Sequence, residues 1–247
     1  MLRYIFFIIL VTHGLIHMMG FAKAFSMANM PQFKSPVPRR VGAIWLFAAM
    51  LFLIAAGGFI FKKEYWPVVA VFAVVVSQVI IILSWKDARF GTVGNLIIFV
   101  VAVSVWGKNY FESQFIHDVK MYIDGYNPPP GDLLTEADIQ SLPPPVQHYL
   151  KYSGAVGKPK VKNLSMAFDG ELRGKAKDWF PFTSVQYDFF DDPTRLFFIK
   201  GQMYGLTVPG YHDYQHGKAK MNIRLFGLIP VIHRAGAKMD KTETVTY

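Results

Sequence analysis

"VGAIWLFAAMLFLIAAGGFIF", residues 41–61, decides the class of this protein: 21 apolar or small residues run without one charge. A helix of that length crosses the roughly 30 Å hydrocarbon core of a bilayer. Within it, small residues recur every seven positions, at Gly42, Ala49 and Ala56, with Gly57 and Gly58 beside the last. Such a stripe lets a second helix approach closely. On one side lies a candidate span at residues 2–22; on the other lie 67–85 and 90–110. The stretch 67–85 opens on a proline, which suits the first turn of a helix, and 90–110 carries Asn95 and Lys108 near its ends. The β-branched residues of these last two would favour strands in water. In lipid an open strand leaves backbone groups unpaired, so helices are predicted. Trp45, Tyr65, Trp66, Trp85, Trp106 and Tyr110 lie towards span ends, where an aromatic belt would sit.

Composition agrees with a membrane class: 52% of the 247 residues are hydrophobic and 16% aromatic. The net charge of +9 is unevenly spread. Residues 1–111 hold ten Lys/Arg against two Asp/Glu, whereas 112–247 hold sixteen against fifteen. The basic surplus therefore belongs to the half richest in apolar runs, where short loops between spans collect Lys and Arg, and the downstream half has no basic surplus to neutralise a phosphate backbone, so nucleic-acid binding is disfavoured. The absence of cysteine excludes disulfides, thiolate metal sites and cysteine nucleophiles. Residues 1–25 resemble a signal peptide but lack a clean small-x-small cleavage site, and their apolar run continues beyond a usual signal core, so a retained helix is expected. Loops 23–40 and 86–89 carry six Lys/Arg; the opposite side carries Arg3, Lys62, Lys63 and Lys108, or five with Lys120. The positive-inside rule then puts the C-terminal region outside the cytoplasm.

After Tyr110 the texture changes. Residues 112–157 read as a Pro-rich linker with two short helices. Thr135 with Asp138 makes a capping-box start, Pro144 and Pro145 can open a helix to Tyr152, and Gly154 supplies its stop. From residue 158 to 247 the period becomes two: Leu164, Met166, Phe168 and Leu172 share a face, Val185, Tyr187 and Phe189 alternate, and "RLFFIKGQMYG" reads as a buried strand. "HG" at 216–217 looks like a hairpin turn into Ala219, Met221, Ile223 and Leu225. An antiparallel meander with one face covered is predicted, and "KTETVTY" at 241–247 reads as a further strand without a partner. The fold class is thus an α+β membrane protein: four transmembrane helices (1–111), a linker and an antiparallel β domain.

The blocks "HGLIHMMGFAKAF", "SQVIIILSWKDARFGTVGN", "LPPPVQHYLKYSGAVGKPKV", "PFTSVQYDFFDDPTRLFF", "GLTVPGYHDYQHGKAKM" and "AGAKMDKTETV" resemble, in order, bacterial membrane proteins of domain of unknown function family 6544. The resemblance implies an integral membrane protein with a β-rich domain and offers no catalytic residues. Such proteins continue with more strands beyond the last block, so a C-terminally truncated chain is expected.

The chemistry-bearing residues are few. His13 and His17 stand four apart on the first span, on one helix face. Spans two to four hold no histidine, and no Asp or Glu lies within any span, so a bis-histidine haem or a zinc site lacks ligands. Hydrogen bonds to Ser77, Gln78, Ser104 or backbone carbonyls are the expected role; a quinone or proton function is the alternative. His212 and His216, also four apart, lie on strand and turn sequence, roughly 13 Å apart if extended, too far to share a metal. Asp191 and Asp192 precede Pro193 as turn formers, and Asp169, Glu171, Lys175 and Lys177 read as a solvated sheet surface. No nucleophile elbow, zincin, P-loop or dinucleotide signature is present, so no catalytic residue, metal or cofactor is expected. The aromatic load of the β half suggests a hydrophobic, lipid-like ligand, with Tyr187, Phe189, Phe198 and Tyr204 as lining residues and His13, His17 and Gln78 as a second candidate group. The expected partners are the bilayer, a lipid or other hydrophobic ligand, and a second copy or another membrane protein in a scaffold role.

Overall fold

The computed structural model describes residues 2–30, 34–125, 132–174, 178–203 and 206–246. The chain divides into two compact units, Met1–Asn109 and Tyr110–Tyr247.

The first unit is helical: α1 (Leu2–Ala24), α2 (Arg39–Ile60), α3 (Trp66–Leu83), the single turn α4 (Trp85–Ala88), and the start of α5 (Gly91–Asp124). Four of these, α1, α2, α3 and α5, are long and apolar enough to cross a membrane. Gly42, Ala49 and Ala56 are buried, as their spacing predicts. Across from them, a Cβ on Gly20 would collide with the Trp45 indole, and one on Gly42 with the Ala24 side chain. Small residues on both helices thus set how closely α1 and α2 approach. Arg3 donates from its guanidinium to the carbonyl of Ile60 at 2.6 Å, occupying an end group of α2 that no backbone N–H reaches. One expectation is corrected here. Trp45 and Trp66 do not belong to an interfacial belt: they are 2% and 6% exposed. Gly20 leaves the space that the Trp45 ring fills, whereas Tyr65, Trp85, Trp106 and Tyr110 are exposed.

Helix α5 does not stop at Tyr110, where the apolar span was expected to end. Residues 110–124 contain neither Gly nor Pro, and Phe111, Phe115, Val119 and Tyr122 recur at helical spacing. That apolar stripe keeps the segment helical and gives it a face to bury.

The second unit is a six-stranded antiparallel meander in the order β1 (Asn163–Leu172), β2 (Phe180–Phe189), β3 (Thr194–Met203), β4 (Leu206–Gln215), β5 (Lys218–Leu225), β6 (Ile229–Ala235). The β4–β5 hairpin turns on His216 and Gly217, both at positive φ (51° and 71°), the geometry a two-residue hairpin needs. Pro209 is tolerated inside β4 because pairing with β5 begins one residue later, at Gly210↔Ile223. A bulge between Ile223 and Arg224 shifts the register of β6 near Pro230.

Ahead of the sheet, α6 (Glu136–Ile139) starts on the predicted capping box, in which Asp138 N–H donates to Thr135 Oγ1 and Thr135 N–H donates to Asp138 Oδ2. Helix α7 (Pro144–Tyr152) opens on its prolines, and Gly154 follows at φ 70°. The last element corrects another expectation: residues 241–246 are not a strand but part of α8 (Ala237–Thr246). Gly236, at φ 116°, ends β6, and the Ala, Lys, Met and Glu residues that follow favour helix. Tertiary contacts fix it: Asp240 accepts from the backbone N–H of Ala219 at 2.8 Å, and Glu243 pairs with Arg195 at 3.4 Å.

The two sheet faces are covered differently. On one, Phe111, Phe115 and Val119 of α5 pack on Phe189, Leu196, Phe198 and Tyr211. Phe115 stacks on Phe198 at 5.3 Å and Tyr122 on Phe189 at 5.0 Å. On the other, α8 covers one end, and no other described element covers the remainder.

Candidate functional site

Three places collect chemistry. The first lies inside the helical unit. His17 Nδ1 is 2.8 Å from the His13 carbonyl and its Nε2 is 2.8 Å from Ser77 Oγ. His13 Nε2 is 2.9 Å from Asn95 Oδ1, which also lies 3.0 Å from Ser77 Oγ. Asn95 in turn bonds Gln78 at 3.0 Å, and Gln78 bonds Thr92 at 3.2 Å. The histidines thus make the hydrogen bonds expected of them with Ser77 and a backbone carbonyl, and reach Gln78 through Asn95. Ser104 instead donates to the Val100 carbonyl. The sequence treated Asn95 only as a weak point in a span; it is 2% exposed and the hub of the network. Beside the network is a cavity of about 450 Å³ lined by His13, His17, Trp45, Ile81, Gly91 and Gly94 among others.

The second place is the open sheet face. Opposite the helix-covered side, a hollow of about 500 Å³ is lined by Phe168, Phe182, Phe197, Ile199, Met221 and Ile223, with Gly201 and Gly210 among its walls. The glycines create the depression. A Cβ on Gly210 would stand 2.9 Å from Ile199, and one on Gly201 3.1 Å from Phe180. Among these apolar groups sits Ser184, 4% exposed, whose Oγ has no hydrogen-bond partner among the described residues. A buried hydroxyl left unpaired costs stability unless something else satisfies it.

The third is a polar cleft of about 660 Å³ beside the C-terminal half of α5, lined by His117, Asp118, Tyr211, Asp213, Lys220 and Arg224 with their neighbours. The Tyr211 hydroxyl donates to Asp118 Oδ2 at 2.7 Å. Burial, reinforced by that carboxylate, pushes the Tyr211 pKa up, so the phenol is held protonated and suits a donor rather than a nucleophile. Burial also raises the Asp213 pKa, against the pull of Lys220. Arg224 lies 4.4 Å over the Phe111 ring. Among the described residues no group of three or more His, Asp or Glu could hold a metal ion.

The sequence-derived aromatic set is divided by this structure. Tyr187, Phe189 and Phe198 all stand on the face packed against α5, so they line the interior there and not the hollow. Tyr204, Lys175 and Lys177 lie outside the described residues. The hollow residues Phe182, Phe197, Ile199, Gly201 and Gly210 were not singled out. Their signal was the pair of glycines inside strand patterns, which mark thin points in a sheet.

These features define the class: a chain that joins four long apolar helices to a six-stranded antiparallel sheet backed by a helix. Residues 132–247 match the family of unknown function DUF6544, and this region belongs to that family. The match takes in the four later blocks of the resemblance, whereas the two blocks within the helices precede it. No curated protein and no solved structure matches the chain.

Proposed function

We propose that this is a non-enzymatic, multi-pass protein of a bacterial cell membrane whose sheet domain, on the outer side, binds a hydrophobic, lipid-like ligand. The observation that carries the reading is the hollow of about 500 Å³: apolar walls, glycine-thinned strands and one unpaired, buried hydroxyl at Ser184. Ligand pockets are commonly of this size, mostly apolar, with few polar groups to orient the guest. An aliphatic chain would cover the Phe and Ile side chains, and an oxygen on the ligand would satisfy Ser184. Membrane anchorage rests on four apolar helices, and the outward side on the excess of Lys and Arg in loops 23–40 and 86–89.

The test uses the full chain in dodecylmaltoside and 11-(dansylamino)undecanoic acid as the probe. Saturable dansyl fluorescence is expected from the native chain. Gly201→Leu, which fills the hollow, and Phe182→Asp, which charges its wall, should each abolish it. No saturable binding, or equal binding to the native chain and Gly201→Leu, overturns the reading; co-purification of a protein in place of the probe would redirect it to partner docking.

A further inference from the structure

The protons of the histidine network can be counted, and the count leaves one donor over. Every partner in it has few hydrogens to give: Ser77 and Thr92 one each, a neutral imidazole one, an amide two. With the side-chain amides as they stand, Asn95 Oδ1 accepts from both His13 Nε2–H and Ser77 Oγ–H. Ser77 then has nothing left for His17, whose Nδ1 already donates to the His13 carbonyl. His17 would have to donate from both ring nitrogens and carry a charge. It is 1% exposed, and among the described residues no Asp or Glu bonds to it. An unpaired cation in such a place is costly.

Turning over the Asn95 and Gln78 amides removes the conflict. Ser77 then donates to His17 Nε2, Asn95 Nδ2 donates to both His13 Nε2 and Ser77 Oγ, Gln78 Nε2 donates to Asn95 Oδ1, and Thr92 donates to Gln78 Oε1. Every distance is unchanged and both imidazoles are neutral. The one consequence is that the His13 proton moves to Nδ1. That nitrogen has no hydrogen bond among the described residues, although His13 is only 6% exposed. It lies against Gly94, where a Cβ would stand 2.6 Å away, and His13 and Gly94 both line the cavity of about 450 Å³. The rest of that lining is chiefly apolar, and Ile16 and Val93 beside it are 47% and 60% exposed on the outside of the helices. Asp87, also on the lining, is already committed: it accepts from the backbone N–H groups of Lys34 and Ser35 at 3.2 and 3.1 Å.

From these facts we propose that the cavity beside His13 is a binding site for a membrane-soluble molecule with an apolar body and a carbonyl oxygen, of the quinone type, which accepts the Nδ1–H of His13. The tail leaves between Ile16 and Val93, towards the surface that lipid would cover. Ser77, Asn95 and Gln78 are positioning residues: they fix the tautomer that presents the proton. This site is independent of the sheet hollow, since all its residues belong to the helical unit.

The experiment compares two probes on the full chain in dodecylmaltoside by native mass spectrometry: decylubiquinone, and n-decylbenzene, which has a similar tail but no acceptor. One decylubiquinone per chain is expected, held at least about tenfold more tightly than decylbenzene, the value of one hydrogen bond in a dry site. Val93→Trp blocks the cavity mouth without touching the network and should abolish binding. Ser77→Ala releases the tautomer and should erase the preference for the quinone while leaving weak binding of both probes. Equal affinity for the two probes, undiminished binding to Val93→Trp, or no one-to-one complex with a correctly folded chain each overturns the proposal.

Discussion

Phe198 and Phe182 sit on neighbouring strands and on opposite faces of the sheet, and truncating each to alanine separates the sheet's packed interior from its open hollow. Phe198 is 3% exposed, stacks on Phe115 at 5.3 Å and approaches Phe111 at 5.7 Å and Tyr211 at 6.3 Å. Its removal opens a cavity among three aromatic rings. Phe→Ala in such a setting costs ~3–5 kcal/mol, which already includes about 1 kcal/mol from lost ring–ring geometry. Phe182 is half-buried on the rim of a hollow open to the outside, so its loss removes contact area without leaving an enclosed void. A cost under about 1.5 kcal/mol is expected.

Hydrogen exchange of the full chain in detergent, followed peptide by peptide by mass spectrometry, reads this difference without unfolding the helices. In Phe198→Ala, the β2–β4 amides that exchange through opening of the whole sheet should do so at least about 100-fold faster, the equivalent of ~3 kcal/mol. In Phe182→Ala the same amides should accelerate less than about tenfold, while the dansyl fatty-acid probe is lost. Comparable acceleration in the two variants would mean that the hollow is part of a closed interior, and the assignment of faces would fail with it.

Three further outcomes follow from single residues. The hydroxyl and backbone N–H of Thr135 hold the Asp138 carboxyl down to about 2, below its ordinary 3.8, so the capping box contributes its full stability above about pH 4 and loses it as pH falls through about 2; exchange at the Asp138 amide, measured across that window, should quicken only there. Asp213 is shifted the other way, mainly by burial, so it costs stability once pH exceeds the ordinary carboxylate range. Asp213→Asn should therefore stabilise the sheet at pH 7 and remove the gain that the native chain shows on mild acidification; unchanged pH-dependence in the variant would contradict this. Gly236→Ala places a side chain at φ 116°, where strain of roughly 1–2 kcal/mol is expected, and should loosen α8 selectively, seen as faster proteolysis after Lys238 or Lys241 with β2–β4 exchange unaltered.

The helices were legible because a bilayer-length apolar run has few alternatives, and the small-residue stripe at Gly42, Ala49 and Ala56 is a contact signal as well as a composition signal. The meander was legible from period-two patterning and the His216–Gly217 turn. What a period of two does not reveal is which face a helix will choose. Val185, Tyr187 and Phe189 alternate as cleanly as Phe180, Phe182 and Ser184, so β2 offers apolar groups to both sides. The choice was made elsewhere in the chain, by Phe111, Phe115, Val119 and Tyr122 on α5, in a stretch that looked like linker because its hydropathy had dropped. Asn95 was opaque for a related reason: its role exists only when helices far apart in sequence bring Ser77, His13 and Gln78 to it.

The sheet face opposite α5 has two ends of different character. Helix α8 lies over one end of that face, and its contacts there are polar: Glu243 to Arg195 and His212, Asp240 to the Ala219 N–H, Thr244 to Tyr214. The strands under it match, with Arg195, His212 and Tyr214 pointing to this side. A few residues along the same strands, on the same side, the character changes to Phe197, Ile199, Gly201 and Gly210. One sheet face thus carries a polar end fitted to a polar helix and an apolar end fitted to none of the described elements. If the apolar end were merely surplus interior, its strands would gain by filling the glycine positions and pairing Ser184. Among the described residues they do neither: Gly201 and Gly210 leave the wall thin and Ser184 Oγ stays unpaired, the two features on which the proposed ligand site rests.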